Sequence, residues 1–274
     1  MFHKLTDGIF GAHLSRQIKE LYASTTILGF ASSMAAIFEP IYLYQIGFSV
    51  SKILVFFIAI YALHLVLAPL GGKLIRARGY EHGMIYGAPF LILYYLSLFA
   101  LKYDPRFIIM GVLAVGIFKT MYWPGFHADF ARFGADGERG RELGAFVFLS
   151  QLSGIAGPLL GGVIIAFGGG FPVLFIIVSL LILVSSVPLL TTPEIFKPRE
   201  MFYADAFKRL AHKEHRQRFF ASFGFGEDLL SVVVWPLLGG MGDFSSCHAL
   251  VLRSRIQVSP NGPLGPIPPA TIMR

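Results

Sequence analysis

Six apolar stretches, each about as long as a helix needs to cross the roughly 30 Å hydrocarbon core of a bilayer, run through residues 21–190. They lie near Leu21–Gly47, Ile53–Ile75, Gly83–Leu101, Phe107–His127, Leu143–Gly168 and Phe171–Leu190, with a weaker seventh near Phe219–Gly240. In lipid every backbone N–H and C=O must find its partner inside the chain, which leaves helices or a closed barrel. Apolar runs of this length are helices. The 14% of charged residues, against roughly 25% in a soluble domain, agrees. The expected fold is an all-α integral membrane protein: a six-helix transmembrane bundle followed by a seventh span.

The net charge of +7 invites a nucleic-acid reading, but the basic residues alternate by loop. Lys4, Arg16 and Lys19 precede the first span; Lys73, Arg76 and Arg78 follow the second; Arg132, Arg139 and Arg141 follow the fourth. Lys197, Arg199, Lys208, Arg209, Lys213, Arg216 and Arg218 follow the sixth, whereas the intervening loops hold Lys52 alone, then Lys102 and Arg106, then none. By the positive-inside rule the N-terminus is expected to be cytoplasmic, in a multi-pass protein expected in the plasma membrane. Topology accounts for the charge, and no nucleic-acid partner is expected. The small residues Ala31–Ala36 lie in the middle of an apolar run rather than at its end, so the first stretch is a membrane helix and not a cleaved signal. Cys247 is the single cysteine, which excludes an internal disulfide.

Residues 1–20 form a cytoplasmic N-terminal segment, 21–190 the bundle, 191–218 a basic cytoplasmic linker containing the helical-looking DAFKRLAHKEHRQR, 219–240 the seventh span and 241–274 an irregular tail. EPIYLYQIGFS (Glu39–Ser49) and WPLLGGMGDFS (Trp235–Ser245) share Pro, Phe and Ser in register, which chance or a real repeat explains equally well. The tail has five prolines and no run long enough to span. It is either disordered or marks a second bundle lost to truncation or a shifted frame, and the second reading is preferred.

The fifth span reads GIAGPLLGGVIIAFGGG over Gly154–Gly170, with seven glycines and a proline. In a water-soluble helix each interior Gly costs roughly 1 kcal/mol and an interior Pro roughly 3. Membrane helices associate by close packing, which favours small residues at contact faces. Ser150, Gly154, Gly157 and Gly161 fall on one stripe, a groove for another backbone. Pro158 bends the helix, and Gly168–Pro172 is the turn that follows.

Gly144-x8-Ser153-x3-Gly157-Pro158-x2-Gly161-Gly162 resembles the fifth-helix signature G-x8-G-x3-G-P-x2-G-G of the major facilitator superfamily, particularly its proton-coupled antiporters, with Ser153 the one departure. GGKLIRARGYEHGM is similar to that family's loop signature G-x-L-x-D-R-x-G-R-R/K through Gly72, Leu74 and Gly79. Arg76 stands where the family has an acid, and Ala77 and Tyr80 where it has basic residues, so the latch that acid makes between the two halves is missing its acidic member. Arg139, Gly140 and Gly144 match the R-G-x-x-x-G approach to the fifth helix, while the arginine-bearing fourth-helix signature of drug antiporters is absent. The resemblance, over about Leu21–Gly240, implies a major facilitator bundle, its first half plus the start of the second. It also implies secondary transport of a small solute by alternating access, with the small-residue face of the fifth helix bearing on the opposite bundle. Proton-coupled efflux is the preferred mode; sugar or metabolite uptake, or a half-carrier that transports nothing, are the alternatives. The expected partners are the solute, protons, lipid and either a second six-helix half or another copy of the chain.

Ionisable side chains inside spans cost about 3 kcal/mol or more, so each is a functional candidate. Thr25, Gly29, Ser32, Ala36 and Glu39 share one face of the first span, which directs Glu39 at a cavity. Desolvation and a nearby cation act on a carboxyl in opposite senses, and their balance can poise it to exchange protons; alternatively Glu39 only bonds near the Pro40 kink. Lys119, on a face with Gly116 and Trp123, can pair with Glu39 directly or through water, bind an anion or neutralise a partner elsewhere. The two differ in depth by about 9 Å at 1.5 Å per residue. His64 titrates in the physiological range when unperturbed but is more often a satisfied core residue. Glu227 and Asp228 enter the seventh span, and adjacent residues point to different sides of a helix. Trp123 and Tyr42 either line an aromatic site or simply pack.

The sequence gives little support to an enzyme. Ser153 sits in Q-L-S-G without the first glycine of an intramembrane serine protease, and no H-E-x-x-H, paired-acid or Walker motif is present. No metal site and no cofactor is expected.

Overall fold

The structure, a computed structural model, describes residues 16–133 and 139–190 together with Val233, Val234, Pro236 and Leu237. Its elements are α1 (Arg16–Ala36), α2 (Glu39–Gln45), α3 (Val50–Arg78), α4 (Tyr80–Ala100), α5 (Phe107–Phe133), α6 (Arg139–Phe167), α7 (Phe171–Ser186) and a 3-10 turn at Pro188–Leu190. Six helical stretches among the described residues are long and apolar enough to cross a membrane. The first is α1 and α2 together, Lys19–Gln45.

The break within that span has a chemical cause. Pro40 has no N–H to give to Ala36. The ladder closes early at Phe38, whose N–H donates to the Ala35 carbonyl at 2.8 Å, and resumes when the Tyr42 N–H donates to Phe38 at 2.8 Å. Glu39 therefore starts a new short helix inside the apolar layer.

Two further joints depend on glycine. Gly79, with φ 115° and ψ 156°, is the single residue between α3 and α4, a conformation that side-chain-bearing residues resist. Gly169 (φ 106°) and Gly170 (φ 83°) make the turn into α7, as expected for Gly168–Pro172. The apolar runs end at Ile75 and restart at Gly83, yet the helices run on through Arg78 and begin again at Tyr80. Arg76 and Arg78 in the last turn of α3 and Glu81 in the first turn of α4 suit the partial charges of those helix ends. Hydrophobicity alone therefore undercounts both helices.

In space the helices follow the order α6, α1, α7, α4, α5, α3, each packed chiefly on its neighbours in that row. Leu43, Leu98, Leu174 and Phe175 are fully buried where the first, third and sixth spans meet. Val233 and Leu237 join this core as buried residues. The rest of the expected seventh span, the linker 191–218, the tail 241–274 and residues 1–15 lie outside the described residues.

The glycine stripe on α6 divides, contrary to the single groove expected for an opposite bundle. Gly157 and Gly161 pack inside the bundle on α1: a Cβ at Gly157 would collide with the Ser33 side chain, and one at Gly161 with the Met34 carbonyl. Ser33 Oγ also donates to the Ser153 carbonyl at 2.8 Å. Among the described residues nothing lies within 4 Å of a would-be Cβ at Gly154, and Ser150 beside it is exposed. The contact runs along 153, 157 and 161, the i, i+4, i+8 row, which lies to one side of the predicted stripe.

These contacts predict that Gly161→Val lowers the stability of the detergent-solubilised protein by roughly 1–3 kcal/mol through overpacking. Gly154→Val, the same change into open space, should cost less than about 1 kcal/mol. Parallel thermal unfolding of the two variants checks this, and equal losses would contradict the packing described.

Candidate functional site

A cavity of about 260 Å³ opens between α1, α2, α3, α4 and α5. All five residues of the stripe predicted on the first span, Thr25, Gly29, Ser32, Ala36 and Glu39, line it. Facing them are Tyr61 from α3, Tyr94 and Tyr95 from α4, and Lys119, Tyr122 and Trp123 from α5, with Val233 also on the wall.

The polar groups lie in tiers along the span axes. Glu39 and Tyr94 are each six residues from the Gln45 and Ala100 ends of their helices, about 9 Å in at 1.5 Å per residue. At this shared depth the Tyr94 hydroxyl donates to Glu39 Oε2 at 2.7 Å. Tyr95 lies close enough to interact with the same carboxyl and with Ser32. Glu39 is 7% exposed, so these hydroxyls take the place of water around it. A buried carboxyl is tolerated only with such partners.

Lys119 and Tyr61 occupy the next tier, twelve and eleven residues from the Phe107 and Val50 ends, about 17 Å in. Lys119 Nζ lies 4.7 Å from the centre of the Tyr61 ring and donates to its hydroxyl over a long 3.4 Å. Lys119 is close enough to Glu39 for the charges to interact, but the ammonium makes its contacts to Tyr61 and not to the carboxylate. Deeper still, the Tyr122 hydroxyl donates to Thr25 Oγ1 at 3.2 Å.

The other candidates divide clearly. Trp123 is on the wall and 41% exposed. His64 lies at the contact of α3 and α5, its Nδ1 3.3 Å from Thr120 Oγ1, while that hydroxyl donates to the Gly116 carbonyl at 2.8 Å. It does not line the cavity. Tyr42 packs on Phe171 and Phe175 and donates to the Leu98 carbonyl at 2.9 Å, so it is a core residue. Glu227 and Asp228 lie outside the described residues.

Gly72, Leu74 and Arg76 occupy the far end of α3 and Gly79 the joint after it, away from the polar tiers. Gly157 and Gly161 back α1 from the α6 side, and Pro158 lies between them within α6. Gly162 touches Phe38 lightly, and Gly144 has open space around it.

Tyr61, Tyr94, Tyr95 and Tyr122 were not singled out from the sequence. The available signal was depth: a hydroxyl in an apolar span needs an acceptor, and counting in from the helix ends puts Tyr94 level with Glu39. Glu81, buried at the start of α4, was missed because it falls between two apolar runs.

A family model described as Major Facilitator Superfamily matches residues 21–245. No curated protein matches the chain.

The bond between Tyr94 and Glu39 predicts a measurable coupling. In a double-mutant cycle of Tyr94→Phe and Glu39→Gln, read by thermal unfolding, the interaction energy should fall within about 0.5–3 kcal/mol. Additive losses would mean that the two side chains do not act together.

Proposed function

The chain belongs to the major facilitator superfamily of membrane transporters, and from that premise we propose that it moves a small solute by proton-coupled alternating access. The observation that carries this reading is Glu39. It is a buried carboxyl inside the apolar layer, held by tyrosine hydroxyls on the wall of a cavity it shares with Lys119. A carboxyl so placed can take up or release a proton as the cavity is exposed to either side of the membrane, and an ionisable group inside a span is a functional candidate by default. The Pro40 break puts Glu39 at the start of a short helix, a discontinuity of the kind that lines binding sites in carriers.

Efflux is the direction supported by the fifth-helix pattern Gly144, Gly157, Pro158, Gly161 and Gly162, which resembles that of proton-coupled drug antiporters. Uptake of a metabolite is the second reading. It is favoured by the cavity's 260 Å³, below the roughly 300–1,000 Å³ of sites for drug-sized ligands. An opposing six-helix bundle would complete the carrier against α3 and α6, the two ends of the helix row. The alternation of basic residues supports a cytoplasmic N-terminus in the plasma membrane.

The test is flux in proteoliposomes under an imposed proton gradient, with internal pH recorded alongside solute movement. Glu39→Gln should reduce gradient-driven flux by roughly a hundredfold, while Glu39→Asp keeps a measurable part. Wild-type flux in Glu39→Gln would overturn the role of Glu39. A folded, inserted wild-type protein that moves nothing would favour a half-carrier.

A further inference from the structure

The two ionisable groups on the cavity wall differ in how fully they are satisfied. Glu39 already accepts from Tyr94 at 2.7 Å and is 7% exposed. Lys119 has three N–H donors and a single long hydrogen bond, 3.4 Å to Tyr61 Oη, with the ring beneath it. Among the described residues no carboxylate oxygen lies within 4 Å of its ammonium. The cavity therefore offers a cation with spare donors beside a carboxyl that already has a donor of its own.

The surrounding wall is aromatic: Phe118, Tyr122 and Trp123 stand on the same helix as Lys119, with Tyr61 and Tyr94 opposite. Such a wall favours a planar apolar body, and the roughly 260 Å³ on this side suits one of about one ring. A cationic solute would have to sit beside Lys119 in a space this small, with little water between the like charges. A neutral solute can accept from the ammonium, but without a charge of its own it makes the weaker contact.

We propose that the solute of this cavity is a small monoanion with an apolar, ring-sized body, its anionic end on Lys119 and its body against the tyrosines and Trp123. The proposal rests on the transport reading for its biological meaning, but on neither the direction of transport nor the proton role of Glu39.

The test uses three probes of one shape and different charge, benzoate, benzamide and benzamidinium, titrated into the purified full-length protein without a gradient. Binding is read by tryptophan fluorescence and by calorimetry. Benzoate should bind saturably and at least about tenfold more tightly than benzamide, the order expected when one charge-assisted contact is lost; benzamidinium should bind most weakly. Lys119→Met should abolish the preference for benzoate over benzamide, and Lys119→Arg should keep it. Benzamidinium binding as tightly as benzoate, or an unchanged preference in a folded Lys119→Met, would overturn the proposal. If Lys119→Met does not fold, the order of the three probes on the wild type decides. Because no gradient is imposed, a protein that binds benzoate but carries nothing separates failure of the transport reading from failure of this one.

Discussion

With no water in the hydrocarbon layer, every polar atom of the bundle must be satisfied by the chain itself, and this requirement shapes the structure at each scale. It makes the six spans helical. It turns the serines back on their own helices, Ser97 to the Tyr94 carbonyl at 2.6 Å and Ser179 to Phe175 at 2.8 Å. It sends the Tyr42 hydroxyl to the Leu98 carbonyl and the Tyr94 hydroxyl to Glu39. Among the described residues Thr26 Oγ1 is buried without a partner, and nothing in the structure explains it.

Since burial of apolar surface does not hold helices together in lipid, close approach must. Glycine supplies it where backbones meet: Gly157 and Gly161 on α1, Gly71 against Thr120 of α5, and Gly125 against the Tyr80 carbonyl. The tightest of these contacts lie behind the cavity wall and not on it. Packing thus fixes α1 and α5 from the outside, and leaves their facing sides to Glu39, Lys119 and the tyrosines.

Most of the fold could be read from the sequence because a membrane span is defined by its own length and composition. Each of the six expected stretches overlies an observed one, and the helices outrun the apolar runs where charged and polar residues continue them, by three residues at Arg78 and at Tyr80 and by six at Phe133. The polar face of the first span was equally readable, since 3.6-residue spacing alone puts Thr25, Gly29, Ser32, Ala36 and Glu39 on one side. What spacing within a single span does not contain is the identity of its neighbour. The partners of Glu39 come from α4 and that of Lys119 from α3, so they depend on which spans are adjacent and at what depth. The stripe on α6 divided for the same reason: small residues mark a surface that can be approached, and only the fold decides what approaches it.

The one-residue joint at Gly79 constrains movement as well as shape. Adjacent Cα atoms are 3.8 Å apart, so the last residue of α3 and the first of α4 are tethered with almost no slack. The two rods behave as the arms of a compass: either can swing about the shared corner, but neither can slide along its length past the other. Any tilt of α3 at the edge of the bundle is levered about the same corner that anchors α4, the helix that carries Tyr94 and Tyr95 to Glu39.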